Sequence, residues 1–479
     1  MPSERRPPRT EHDVVGDIQI PANVLYGAQA ARAAALVQPS GRSLGEHEEL
    51  VTAIAEIKRA AATANRSLGI LDEDLATGIV AAADEVIAGE HRLELIVDVM
   101  TGGGGTALHM NMNEVLAQRA TELAGQVVHP NTHVNMGQST NDVVPSAVCL
   151  ASNALLIQVC HALDDLIDAT TATASATREV VKVSRTCLQD AVPMTLGQGF
   201  GAHKTAFERL RGQLHQLAEE ALSIPLGATA VGTGLGAVDG YQLAAIAEVR
   251  ANTGLDVRSD ADLFDGLANT DLHVRISATL KALALTIAKQ AKDIRLMSSG
   301  PRAGFSEITI AATQSGSSIM PGKVNPSLAE MMVMVGHRAA GNDLATTMAM
   351  ADGELDLNVW EPTVIVALFE TCGLLIRTIP VYARECVATI EANAQACATM
   401  AADSLALAVV VSAMFGYDEG ARVARHAAAH DLSIRDATVA LGLLSPGDAD
   451  QLLDPLLLTD PAKSGPLLRR LIRQTRAAS

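Results

Sequence analysis

The chain reads as an all-α protein, and three observations carry that reading. Apolar residues make up 48% of its 479 residues but aromatic ones only 2%. The interior must therefore be built from Ala, Leu, Val and Ile, which favours close-packed helices over a sandwich of sheets. Residues 276–297 repeat apolar side chains every three or four positions, through Ile276, Leu280, Leu283, Ile287, Ala291 and Ile294, the mark of one buried helical face. Strand-like and helix-like segments nowhere alternate, which argues against a doubly wound α/β fold. A chain of this length holds a large core and two or three domains.

Taken in order, residues 1–12 are Pro- and Arg-rich and read as a disordered tail. Val14–Ile20 alternates around a glycine and suits a small hairpin. Residues 13–140 form an N-terminal, mostly helical domain, with one helix over 49–67. Thr101-Gly-Gly-Gly-Gly-Thr106 cannot hold a helix, so it is a loop presenting Thr106 ahead of a helix that starts near Met110. The polar segment His129–Asp142 feeds a long helix over about 143–173, which places Ser139, Thr140 and Asn141 at a helix N-terminus, where a carboxylate is favoured. Residues 141–395 form a central domain of long helices, a bundle needing more partners than one chain provides. Shorter helices over 405–411, 420–430 and 433–441 define a small C-terminal domain, 396–479.

The net charge of −18 argues against nucleic acid and anionic membranes as partners. The longest apolar run, Leu405–Phe415, falls short of the roughly 18 residues of a membrane span. Six cysteines show neither a C-x-x-C pair nor zinc spacing, so reduced thiols in the cytoplasm are expected, with no metal site. An acidic protein that binds an acidic ligand needs a locally positive pocket. Gln314-Ser-Gly-Ser-Ser-Ile-Met-Pro-Gly-Lys-Val-Asn-Pro326 offers one: serines between two glycines, a lysine, and Asn325-Pro326 as N-cap and first residue of a helix. It is not a nucleotide-binding P-loop, because Val324 follows the lysine where Ser or Thr would hold Mg²⁺.

That stretch resembles the signature loop of the aspartase/fumarase superfamily, Gly-Ser-Ser-x-Met-Pro-x-Lys-x-Asn, with every defined position present in Gly316–Asn325. Pro21–Arg32, Thr101–Glu114, His129–Asp142 and Arg185–Gln198 resemble further family blocks in the family's order, so the resemblance covers residues 10–458. It implies a mainly helical three-domain fold and a homotetramer whose active sites each draw on three subunits. It also implies a cofactor-free elimination from a substituted succinate that leaves fumarate. Ser318 would then be the base, acting as an alkoxide, with Lys323 beside it. Thr106, Ser139, Thr140, Asn141, Thr186, Cys187, Ser317, Met320 and Asn325 would contact substrate, with Glu330 and His109 in support.

Several residues depart from the family pattern. Cys187 stands where His or Gln is usual, His109 where Asn is usual, and Ala107 and Gly236 also differ. In fumarases the residue matching Glu330 pairs with the histidine that Cys187 replaces. Asp98–Thr106, Glu361-Pro362 and Ala191–Met194 resemble aspartate ammonia-lyases, whereas Val128–Asn131 resembles fumarases. The readings in order are ammonia elimination from L-aspartate, a carbon–nitrogen lyase for a modified or N-substituted aspartate, fumarate hydratase, and a non-catalytic protein on the same scaffold.

Overall fold

The structure, a computed structural model, describes residues 7–36 and 38–478. A hairpin of β1 (Arg9–Asp13) and β2 (Gly16–Ile20) precedes α1 (Ala28–Leu36), α2 (Glu48–Ser67), α3 (Glu73–Ile87) and α4 (Thr106–Ala124). Next come α5 (Thr140–Ala176), a second hairpin of β3 (Val181–Thr186) and β4 (Gln189–Thr195), and α6 (Leu196–Glu220). Then follow β5 (Ser223–Ile224), α7 (Tyr241–Thr253), β6 (Arg258–Ser259), α8 (Leu263–Ala268) and α9 (Asp271–Met297). After β7 (Ile308–Thr309) come α10 (Ser327–Ala351), α11 (Glu361–Glu385), β8 (Glu391–Ala392) and α12 (Ala394–Asp403). Short helices close the chain: α13 (Ala408–Phe415), α14 (Tyr417–His430), α15 (Ile434–Ala440), α16 (Pro446–Leu452), α17 (Pro455–Leu458) and α18 (Pro461–Ala478). The mainly α fold expected from sequence is what forms. Among the described residues the strands make two-stranded sheets, β1–β2, β3–β4, β5–β6 and β7–β8.

Contacts divide the chain into two units, each discontinuous in sequence. The first comprises Met1–His161, Leu210–Leu283 and His337–Ile376. There α2 packs on α3 and α7, and α3 on α4, through buried Leu50, Val51, Ile54, Ile57 and Ala61. Glu114 of α4 accepts the backbone N–H groups of Gly27, Gln29 and Ala30 at 2.8–3.1 Å, which satisfies the free donors at the start of α1. A Cβ on Gly27 would lie 2.8 Å from that carboxyl, so only glycine fits.

The second unit comprises Ala162–Arg209, Ala284–Gly336 and Arg377–Ser479. Its C-terminal part has its own core, with Val411, Val423, Ala427, Ile434 and Leu452 at the centre. There α12 packs on β3, and α17 on β4.

Three local expectations need correction. Residues 9–12 belong to β1 and are not part of a disordered tail, because Arg9 bonds Glu11 and the carbonyls of Val24 and Tyr26; residues 1–6 lie outside the described residues. The helix expected near Met110 begins at Thr106, since Gly103, Gly104 and Gly105 turn the chain through three successive left-handed conformations (φ 68°, 62° and 82°). Among the described residues, two helices, Thr140–Ala176 and Glu361–Thr389, are long and apolar enough to cross a membrane by length and composition. Scattered Ser, Thr and Asn hide them from a search for one unbroken apolar run. In the first, 83% of the apolar window is buried within the protein.

Candidate active site

The expected site residues fall into three groups, one in the first unit and two in the second. The first group gathers at the N-terminus of α5. Ser139 Oγ accepts the Asn141 N–H at 3.2 Å, and Asp142 Oδ1 accepts the Ser139 N–H at 2.9 Å, so each end of the turn caps the other. Asp142 Oδ2 also accepts the N–H groups of Gly227 and Thr229, at 3.1 and 3.0 Å. Burial nevertheless raises its carboxyl to about 6. Asn141 Nδ2 donates to the carbonyl of Ala230 at 2.8 Å. On α4, Thr106 donates its hydroxyl proton to Gly103 O at 2.7 Å. One turn further along, the fully buried His109 meets Thr140 Oγ1 through Nδ1 at 2.8 Å.

Sequence reasoning missed what stands behind His109. Lys58 of α2, fully buried, places Nζ 2.6 Å from His109 Nε2, 2.8 Å from Gln138 Oε1 and 3.0 Å from Asn135 Oδ1. One signal was visible: Lys58 falls on the apolar register of Val51, Ile54, Ala61 and Asn65, where a lysine has no bland reason to be. Burial pushes both Lys58 and His109 well below their ordinary pKa values, with the nearby Asp142 charge opposing the shift at Lys58.

The second group is the signature loop. Gly316 N donates to Lys323 O at 3.1 Å, and a Cβ on Gly316 would lie 2.3 Å from that oxygen, so the loop closes only with glycine there. Asn325 does not cap α10 as expected; the helix begins at Ser327, and Asn325 Nδ2 instead donates to Gly316 O at 2.8 Å. Ser317 Oγ accepts the N–H groups of Ile319 and Met320 at 3.3 and 3.0 Å. Ser318, Met320 and Lys323 are exposed on this loop. Glu330, in the first turn of α10, pairs with Arg295 at 3.3 Å.

The third group is the tip of the β3–β4 hairpin. Thr186 pairs with Gln189, and Cys187-Leu188 make a two-residue turn, both left-handed (φ 54° and 58°) and both exposed. Such a turn ordinarily calls for Asn-Gly. Cys187 is therefore not an inert buried filler; the other five cysteines are buried. The hairpin is held from behind by Glu307, whose side chain is wholly buried between Lys182 Nζ (3.1 Å) and Arg185 Nη1 (2.5 Å). The Arg185 guanidinium also lies 4.4 Å from the centre of the Phe305 ring. A cavity of about 700 Å³ opens beside the same hairpin, lined by Arg185, Phe200, His203, Lys289 and Phe305 among others. None of the expected site residues lines it, so chemistry locates the site here and cavity size does not.

The glycine-pinned loop carrying serines and a lysine, and separately the hydroxyl-rich N-terminus of α5, each have the chemistry to hold a small anion. Comparison with known proteins agrees. Residues 16–341 match the family described as Lyase, and residues 407–460 match the fumarase C C-terminus. Aspartate ammonia-lyase of Bacillus subtilis is 38% identical, over 95% of this chain and 97% of its own. Class II fumarate hydratase of Nitrosomonas europaea is also 38% identical, over 94% and 99%. Among solved structures, class II fumarase from Schistosoma mansoni superposes with a TM-score of 0.92 at 32% identity, covering 95% of this chain and 99% of that one. The chain belongs to the aspartase/fumarase superfamily of lyases.

Proposed function

We propose that the protein eliminates ammonia from L-aspartate, or an amine from a closely related aspartate derivative, to give fumarate. The observation that carries this reading is the pairing of Glu330. A hydratase needs a base that activates water, and in fumarases the matching carboxylate works with a histidine. Here that histidine position is Cys187, on an exposed turn, and Glu330 is paired with Arg295. A thiol is a poor substitute for imidazole in orienting water. The resemblance of Asp98–Thr106, Glu361-Pro362 and Ala191–Met194 to aspartate ammonia-lyases points the same way.

In the proposed reaction Ser318 Oγ takes the proton from the carbon next to a carboxylate. The electron pair left behind spreads into that carboxylate as an aci-carboxylate, then returns to form the double bond as the C–N bond breaks and the amine leaves. The demanding step is stabilising the doubly charged intermediate, which is electrostatic work. Lys323 supplies the charge, Asn325 braces the loop through Gly316, and Ser317 holds the turn that presents Met320. Thr106, Ser139 and Thr140 bind the other carboxylate, and Asn141 and Thr186 face the leaving group. These residues meet when three subunits of a homotetramer each contribute one group. Apolar side chains left exposed on the long helices, such as Met334, Leu344 and Met348, are consistent with that assembly.

The test is absorbance in the fumarate band with L-aspartate, N-substituted aspartates and malate. Fumarate from an aspartate is the expected result. Turnover of malate with none of the aspartates would replace this reading with fumarate hydratase, which the equal identity to both kinds of relative keeps in view.

A further inference from the structure

We infer that Lys58 and His109 are positioning residues which aim the hydroxyl proton of Thr140 at a bound carboxylate. The inference rests on the reading above that Thr140 binds a substrate carboxylate, and it follows from counting donors. Gln138 Nε2 donates to the carbonyls of Val134 and Met136, at 3.0 and 3.2 Å, which turns its Oε1 towards Lys58. Asn135 Nδ2 donates to Gln138 O at 3.1 Å, which turns its Oδ1 the same way. Lys58 must therefore donate to both amide oxygens. Held as an ammonium by these two oxygens and by the Asp142 charge that opposes its desolvation, Lys58 has a third proton to give, and the third atom within reach is His109 Nε2.

A ring nitrogen that accepts from Lys58 leaves the imidazole proton on the other nitrogen. His109 Nδ1–H then donates to Thr140 Oγ1. Burial holds this imidazole in its neutral form, so it has one proton to give and gives it to Thr140. With its oxygen occupied as an acceptor, Thr140 keeps its own proton free for the space in front of α5. The reverse polarity, Thr140 donating inward to His109, would offer an incoming carboxylate only lone pairs. A carboxylate accepts and never donates, so binding selects the first arrangement, and the buried ammonium behind it adds favourable charge.

Two measurements on the full chain test this, with succinate as an inert dicarboxylate probe. In protein labelled with [15N]histidine and saturated with succinate, solid-state NMR should show one neutral Nδ1–H histidine that vanishes in His109→Asn. An Nε2–H or doubly protonated His109 in that state overturns the inference. Succinate affinity should fall roughly ten-fold or more in His109→Ala, the worth of one hydrogen bond to a charged group. Most of that loss should be recovered in His109→Asn, whose amide N–H can sit where Nδ1–H was. On a Thr140→Val background, His109→Ala should cost nothing further. A structural role for His109 would add its cost on either background and would not be rescued by Asn. Equal loss with and without the Thr140 hydroxyl therefore sinks the inference. Lys58→Met, if it folds, should behave as His109→Ala does. Succinate is not turned over, so a protein that binds it yet makes no fumarate from any of the aspartates refutes the proposed function while the succinate affinities still decide the inference.

Discussion

Replacing Glu307 with alanine tests how the Thr186–Cys187 hairpin is held. The carboxylate sits with no exposed side-chain surface between Lys182 and Arg185, and among the described residues neither cation has another anionic partner. Removing it leaves two mostly buried charges uncompensated, a change that costs about 3–5 kcal/mol when a fully buried pair is broken. Both cations keep 12% of their side-chain surface, so water recovers part of that, and about 2–3 kcal/mol is the reasonable expectation. Such a loss raises the local opening equilibrium roughly 30- to 150-fold. Trypsin can cut after Lys182 or Arg185 only when the strand detaches from its partner. Where reclosing outpaces cleavage, the rate of that cut should therefore rise by the same factor. Glu307→Gln, which keeps the shape, should fall between wild type and Glu307→Ala. Unchanged cleavage at these two positions together with an unchanged thermal midpoint would refute the account of Glu307 as the brace.

The remaining predictions concern charge, chemistry and assembly. Burial raises the carboxyl of Glu361 to about 8, so the folded state holds this proton more tightly than the unfolded one. Its contribution is then most favourable below about pH 4.5 and is lost as pH rises towards 8, on the order of 5 kcal/mol in all. Thermal melts across that range should lose this slope in Glu361→Gln, and an identical slope in both proteins would refute the assignment. Ser318→Ala should lower kcat by roughly 10²–10⁴, the usual worth of a general base, with fold and assembly unchanged by circular dichroism and sedimentation; near-normal turnover would mean another base. Lys323→Ala should raise KM and lower kcat together, through loss of carboxylate pairing. A thiol is smaller than the His or Gln usual at that position, so Cys187→His should shift kcat/KM towards plain aspartate relative to N-substituted aspartates, and no shift would leave the ordinary aspartase reading. Sedimentation at assay concentration should give a tetramer, and an active monomer would rule that assembly out.

Much of this was legible in the sequence because it depends on short-range chemistry. The stripe from Ile276 to Ile294 predicted a buried face, and every one of its six residues is buried. Ser139, Thr140 and Asn141 were placed at a helix start because a polar cluster precedes a long apolar repeat, and α5 begins there. The misses come from partners far away in the chain. Asn325 looks like a cap when only its neighbours are read, but its amide is drawn to Gly316 by the closing of the loop. Lys58 is visible as a misplaced charge, yet its partners His109, Asn135 and Gln138 lie 51 to 80 positions away, and no local pattern announces them. Glu307 escaped for the same reason, being 122 residues from Arg185.

The Cys187-Leu188 turn has a consequence for how this chain came to have its sequence. Each left-handed residue with a side chain costs about 1 kcal/mol relative to glycine or asparagine, and both side chains of this tip are exposed. Folding alone would favour Asn-Gly at this turn. On the proposed reading Cys187 meets the substrate, so the costlier pair serves turnover at the expense of folding. A library randomised at 187 and 188 and sorted for stability should therefore converge on Asn-Gly, and one sorted for turnover should not.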